Sequence, residues 1–446
     1  MSAPSFPSGI KNIFLFTIFN ALSYQIILSS PMVLYAKSLG ASATVLGIIA
    51  GMMPILVVFQ IPAAKHVERV GYKKFIYAGW GTRVLFIIGM ALVPVAGAFL
   101  DKTTQLVLLL MLLFGFNLSR GISSCAWLPW MTSLIPSGLR GSYLVRDAVF
   151  LNVGSFAVFL IAAFSLGAQS HAWQFALLFA FSAAMGATSL VFIKRIPEPP
   201  KTEQVHVSNE PVPWREIAAY PPFRKLLWMN YFWSLAYGGI NTFVVAFLKT
   251  EAGLAERDIM LVSSMAFLGG LSSLFFLSSR LDRFGSKPVL TFSMFAWIGI
   301  LCGWICLAGK VIPPFLSILI LLQFLMGLCA SLVNLSNTRL VMAIVPTMGR
   351  SHFFALYSVV ANLTLGLSPI FWGISIDAAR TLNFVWHGFA WNRFSLFFIA
   401  VALMFFITLA RCRRLEEPQA ASMETLLRDI LEQSPLRFWL RFWPRS

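Results

Sequence analysis

The sequence predicts an all-α membrane protein of twelve transmembrane helices, built as two six-helix halves related by a pseudo-two-fold repeat. Three observations carry that prediction. First, the chain is 58% hydrophobic and only 11% charged, against about 25% charged in ordinary soluble domains, and its mean hydropathy is +0.78. No soluble core of 446 residues absorbs that much apolar surface. Second, apolar runs of about 20 residues, enough to cross the ~30 Å hydrocarbon layer, begin near Ile13, Ala43, Ile76, Gln105, Ala148, Trp173, Leu226, Ile259, Pro288, Ile312, Phe354 and Phe394. Third, a charged turn occurs twice. AAKHVERVGYKK contains Glu68, Arg69, Gly71 and Lys73, and SSRLDRFGSKP contains Asp282, Arg283, Gly285 and Lys287 in the same register 214 positions later. One such turn would be a solvated loop, but a copy after the second run of each half marks a duplication.

The net charge of +17 would suggest nucleic acid in a soluble protein, yet its placement along the chain accounts for it differently. Lys65, Arg69, Lys73, Lys74, Arg140, Lys194, Arg195, Arg215, Arg280, Arg283, Lys287 and Arg350 fall on one side of the alternating spans. Only Lys37, Lys102, Lys249, Arg257, Lys310, Arg380 and Arg393 fall on the other. This positive-inside bias places both termini in the cytoplasm of a cell (inner or plasma) membrane, with no nucleic-acid partner. The five cysteines lie in or at the ends of apolar runs, where they pack as small hydrophobes. Cys302 and Cys306 share a helical face without further ligands nearby, so neither a metal nor a cofactor is expected.

The domain organisation follows from composition. Residues 1–194 form the first bundle and residues 223–412 the second. Between them, residues 195–222 read as a cytoplasmic linker rich in Pro and Glu without apolar periodicity. A second internal match supports the repeat: Pro136 precedes Arg140 as Pro346 precedes Arg350, an offset of 210. In the tail, residues 413–446, Leu426, Leu427, Ile430 and Leu431 share one face, and Arg437, Trp439, Arg441 and Trp443 follow. That pattern suits the headgroup layer of membrane lipid.

These residues together resemble the major facilitator superfamily of secondary transporters. The twelve runs, the central linker, the acidic-Arg-x-Gly-x-basic turns and the Pro-x-x-x-Arg turns carry the resemblance over nearly the whole chain. Ala64 and Ser278 stand where that family usually has glycine, and Glu68 replaces the commoner Asp. The resemblance implies alternating access, a cavity lined by spans one, four, seven and ten, and no enzymatic activity. It also implies that the repeated turns latch the outward-facing state, with Arg140, Arg146, Asp147 and Arg350 at the same cytoplasmic edge. A single chain is the expected working unit.

Polar side chains in hydrocarbon are costly and should face a bundle interior or a wet cavity. Span seven carries Asn230, Ser234, Tyr237 and Asn241 on one helical face, and span four carries Asn117, Arg120, Ser124 and Trp127. Span one offers Asn20, Tyr24 and Gln25, and span ten offers Ser331, Asn334 and Asn337. Interhelical hydrogen bonding explains any single Asn, whereas stripes on all four cavity spans point to a site. Arg120 lies roughly 24 Å along a helix from Pro136 with no acid at comparable depth, so an anionic solute, or helix carbonyls and water, would have to satisfy it. Arg83 and Arg339, closer to the cytoplasmic ends, are expected to snorkel or to join the gate. No Asp, Glu or His falls within spans one, four, seven or ten, which argues against a proton-coupling group there. The chain therefore reads as a transporter of a small polar solute, with an anion as the sharper form of that reading. An exporter of amphipathic compounds is the alternative within the class, and a non-transporting receptor or assembly factor the alternative outside it.

Overall fold

The computed structural model describes residues 9–136, 139–167, 170–198, 214–344 and 350–415. Span one comprises Ile10–Leu28 and Ser30–Ser38, and span two Ala43–Leu56, a 3-10 turn Val57–Phe59 and Gln60–Val70. Span three is Tyr72–Leu92, span four Lys102–Ser124 with Trp127–Leu134, span five Arg140–Leu166 and span six Ala172–Arg195. The second half repeats the series as Pro221–Tyr237 with Ile240–Thr250, Glu256–Phe284, Ser286–Ala308, Leu316–Ile344, Arg350–Ala378 and Arg393–Arg413. Eleven of these are long and apolar enough to cross a membrane among the described residues. The other, span eight, has its side chains 275–284 outside the described residues.

The duplication is visible in the packing. Span one packs on five and six as span seven packs on eleven and twelve; span three packs on four and six as nine does on ten and twelve; two meets four as eight meets ten. The halves join along two equivalent seams, span two against eleven and span five against eight. Small residues permit the first seam: a Cβ on Gly47 would collide with the Pro369 carbonyl, and one on Gly51 with the Gly366 carbonyl.

Both repeated turns use glycine for the same reason. Gly71 (φ 89°) and Gly285 (φ 85°) take positive φ between consecutive spans, a region closed to most side chains. The termini-bearing face holds these turns. On the opposite loop face, the sequence LNFVWHGFAWN forms a hairpin missed by the apolar-run reading, β1 (Asn383–Trp386) paired with β2 (Phe389–Asn392). His387 and Gly388 turn it with both φ values positive, as a two-residue hairpin loop requires. The linker is also not wholly irregular: Trp214–Ala219 is helical, docked by the buried Ile217, a single apolar anchor too short to register as periodicity.

The halves are held together towards the loop face. Ser30 Oγ donates to Ser263 Oγ at 3.2 Å, the Arg257 N–H donates to the Gly167 carbonyl at 3.2 Å, and Asp377 accepts from Ala43 and Thr44.

Candidate functional site

Helix breaks shape the space between the halves. Span one breaks at Ser29, whose backbone is extended, span seven at Gly238 and Gly239, and span four at Cys125 and Ala126. Broken helices inside a membrane are tolerated where they line a cavity or are buried in protein. A cavity of about 540 Å³ lies beside the first two breaks, bounded by spans one, five, seven, eight, nine and ten. Its volume is in the range of small-molecule sites.

Of the residues expected on the cavity spans, Gln25, Tyr237, Asn241 and Asn334 line it, together with Ser331. Gln25 is held in place: its Oε1 accepts from Ser29 Oγ at 2.8 Å and its Nε2 donates to Ser155 Oγ at 3.0 Å. Tyr237 stacks on Trp233, ring centroids 4.9 Å apart, and meets Trp297 edge-on at 5.8 Å. The lining also includes Asn152, Trp297 and Gln323, which sequence reasoning passed over, and among the described residues it contains no charged side chain. Trp297 is fully buried and Gln323 is 5% exposed, yet the Trp297 indole N–H and the Gln323 Oε1 have no hydrogen-bond partner. A buried donor and a buried acceptor without a partner among the described residues are costly; both atoms are inaccessible to water and so lie behind the cavity surface. Gln323 was detectable in sequence, since it lies eight and eleven residues before Ser331 and Asn334 and so on the same helical stripe.

The other candidates lie elsewhere. Asn230 and Asn337 pair across spans seven and ten: Asn230 Nδ2 donates to Asn337 Oδ1 at 3.1 Å, Asn337 Nδ2 donates to Asn230 Oδ1 at 2.5 Å, and Tyr357 Oη bonds to both. Trp127 packs among Phe16, Trp80 and Trp130. Asn20, Tyr24 and Arg120 form a group within the first half, joined by Arg83. Arg83 does not snorkel. It is 5% exposed, it donates to Asn20 Oδ1 at 3.3 Å, and its guanidinium sits 5.0 Å from the Phe116 ring and 5.5 Å from that of Trp80. An aromatic box can hold a cation in the interior, which the sequence position alone does not reveal. Arg120 is half-buried and lies in electrostatic reach of Tyr24, as does Asp147, which accepts a hydrogen bond from Thr17 Oγ1 at 2.5 Å.

Among the turn residues, Arg69 and Arg146 are exposed, while Lys73 and Lys287 are half-buried. The side chains of Glu68, Arg140, Asp282, Arg283 and Arg350 lie outside the described residues, as do most of the linker and the tail from residue 416 onwards.

Comparison with known proteins agrees with this architecture. The sequence profile of the Major Facilitator Superfamily matches residues 13–256 and 232–444, whereas no curated protein matches the sequence. The fold is similar to that of a D-xylose–proton symporter (TM-score 0.72, 13% identity, 92% of this chain and 99% of that one). It is similar to a variant of the nucleoside transporter NupG (0.71, 13%, 92% and 100%). It is also similar to a partially occluded, inward-open form of XylE from E. coli (0.68, 12%, 93% and 100%). With a profile spanning both halves and a contact pattern that repeats between them, the chain belongs to the Major Facilitator Superfamily.

Proposed function

We propose that the chain moves a small, uncharged, hydroxyl-rich solute across the cell membrane by alternating access, holding it in the cavity between the halves. The observation that carries this reading is the cavity wall itself. Amide and hydroxyl groups from both halves line it beside aromatic rings, and no charged side chain lines it among the described residues. Aromatic faces with convergent neutral hydrogen-bonding groups fit a polyol or nucleoside better than an ion. D-Xylose and nucleosides, carried by two proteins of similar fold, are of this kind, although the likeness to those proteins carries the fold and not the solute. With the termini in the cytoplasm, the hydrogen-bonded loop face is the outer gate, closed in this conformation.

A second reading has its own observation. Arg120 is half-buried and makes no hydrogen bond or ion pair among the described residues, so an anion entering from the termini face would meet it. Uptake into proteoliposomes by purified full-length protein separates the two. Flux of neutral sugars or nucleosides, weakened by Asn241→Leu and Asn334→Leu and retained in Arg120→Ala, supports the first. Flux of carboxylates only, lost in Arg120→Ala, replaces it with the second. A folded protein that moves neither class would be a scaffold.

A further inference from the structure

A second cavity, of about 240 Å³, lies at the loop face where the halves meet, lined by Lys37 and Ser42 of the first half and by Thr250, Asp377, Arg380 and Arg393 of the second. It shares no lining residue with the solute cavity. Three cations thus converge from three elements: the end of span one, the turn after span eleven and the start of span twelve. Lys37 is in electrostatic reach of both arginines.

The acids nearby are already engaged. Both Asp377 oxygens accept from the start of span two, and Glu251 accepts one Arg393 N–H at 2.9 Å. The donors are not exhausted. Arg393 retains further guanidinium N–H groups and Lys37, which donates to the Ala41 carbonyl at 3.1 Å, retains two ammonium N–H groups. The Arg380 side chain is exposed and makes no hydrogen bond or ion pair among the described residues. The Asp377 carboxylate, within electrostatic reach of Lys37, offsets part of the repulsion among these three cations, and an anion held between them would offset the rest.

We propose that this cavity binds a small oxyanion, of phosphate or carboxylate chemistry, between Lys37 of the first half and Arg380 and Arg393 of the second. Planar guanidinium forks match oxyanion geometry. Because the donors belong to both halves and part when the loop face opens, the anion binds the closed state preferentially and shifts the gate towards it. Its source is either a free ion or the phosphate of a lipid headgroup.

Thermal unfolding of the full-length protein in detergent, titrated with inorganic phosphate at ionic strength held constant with sodium chloride, tests this. The expected result is a saturable rise in unfolding temperature, with the half-saturating phosphate concentration about tenfold higher in Lys37→Gln and in Arg380→Gln. Arg380 is exposed and makes no side-chain hydrogen bond, so its variant remains informative should Lys37→Gln misfold. A parallel arm compares phosphatidylcholine nanodiscs with and without phosphatidylglycerol. Stabilisation by phosphatidylglycerol alone, lost in Arg380→Gln, assigns the same site to a headgroup. The absence of a saturable shift with either probe, or an unchanged midpoint in Arg380→Gln, overturns the proposal.

Discussion

Asp377, at the end of span eleven, caps the start of span two in the other half through Thr44. Its Oδ2 accepts the Thr44 backbone N–H at 2.8 Å and the Thr44 hydroxyl at 2.7 Å, while Oδ1 accepts the Ala43 N–H at 3.1 Å. A carboxylate at a helix amino end satisfies unpaired donors and meets the positive end of the dipole. Here the helix and its cap belong to different halves, so the interaction exists only while the loop face is closed.

Asp377→Ala should therefore favour loop-face opening. Loss of a cap costs about 0.5–2 kcal/mol, up to roughly a thirtyfold shift in a two-state equilibrium. Ala41→Cys, in a background without the native cysteines, reports the change, because Ala41 is 1% exposed in the closed arrangement. Faster labelling from the loop face is the expected result; an unchanged rate with normal folding would show that the small-residue seam of spans two and eleven holds the gate without the cap.

The Asn230, Asn337 and Tyr357 cluster joins spans seven, ten and eleven within one half, so it should act on stability and not on the gate. Asn337→Ala leaves Asn230 with fewer partners at 1% exposure and should cost about 0.5–2 kcal/mol. Replacing both by leucine should cost less than the sum of the single changes, because neither partner is then orphaned. Thermal unfolding of the three variants checks this. Additive losses would mean that the pair is not coupled.

Much of the architecture was legible because a bilayer admits few solutions: every span needs a long apolar run and every turn a break. Span starts from sequence fall within a few residues of the observed helices, except span five, whose charged first turns from Arg140 hid its beginning before Ala148. The site was legible in part. Of the polar residues singled out on the cavity spans, Gln25, Tyr237, Asn241 and Asn334 line the cavity, but spacing cannot tell a residue facing the cavity from one facing a partner helix. Asn230 and Asn337 obey the same pattern and satisfy each other instead. Arg83 was misread because depth along one helix says nothing of the aromatic rings brought by others.

Reporter fusions test the orientation that the charge bias implies. A reporter placed after Lys102 should lie outside and one placed after Gln204 should lie in the cytoplasm, because basic residues concentrate on the latter side. Finding the two on the same side would remove the basis for placing the closed loop face outside.

The last prediction concerns the driving force. A proton passenger needs a group that changes charge inside the membrane, and arginine does not lose its proton at any relevant pH. Among the described residues the solute cavity has no Asp, Glu or His in its lining. Asp147 is in electrostatic reach of Tyr24, accepts from Thr17 and is not among the residues lining that cavity. Uptake should therefore persist in proteoliposomes when no pH gradient is imposed. Asp147→Asn, whose amide oxygen can still accept from Thr17, should fold and retain that uptake. Strict dependence on an imposed proton gradient, abolished in Asp147→Asn while binding of the solute is kept, would instead make Asp147 the coupling group and the Thr17 hydroxyl its positioning partner.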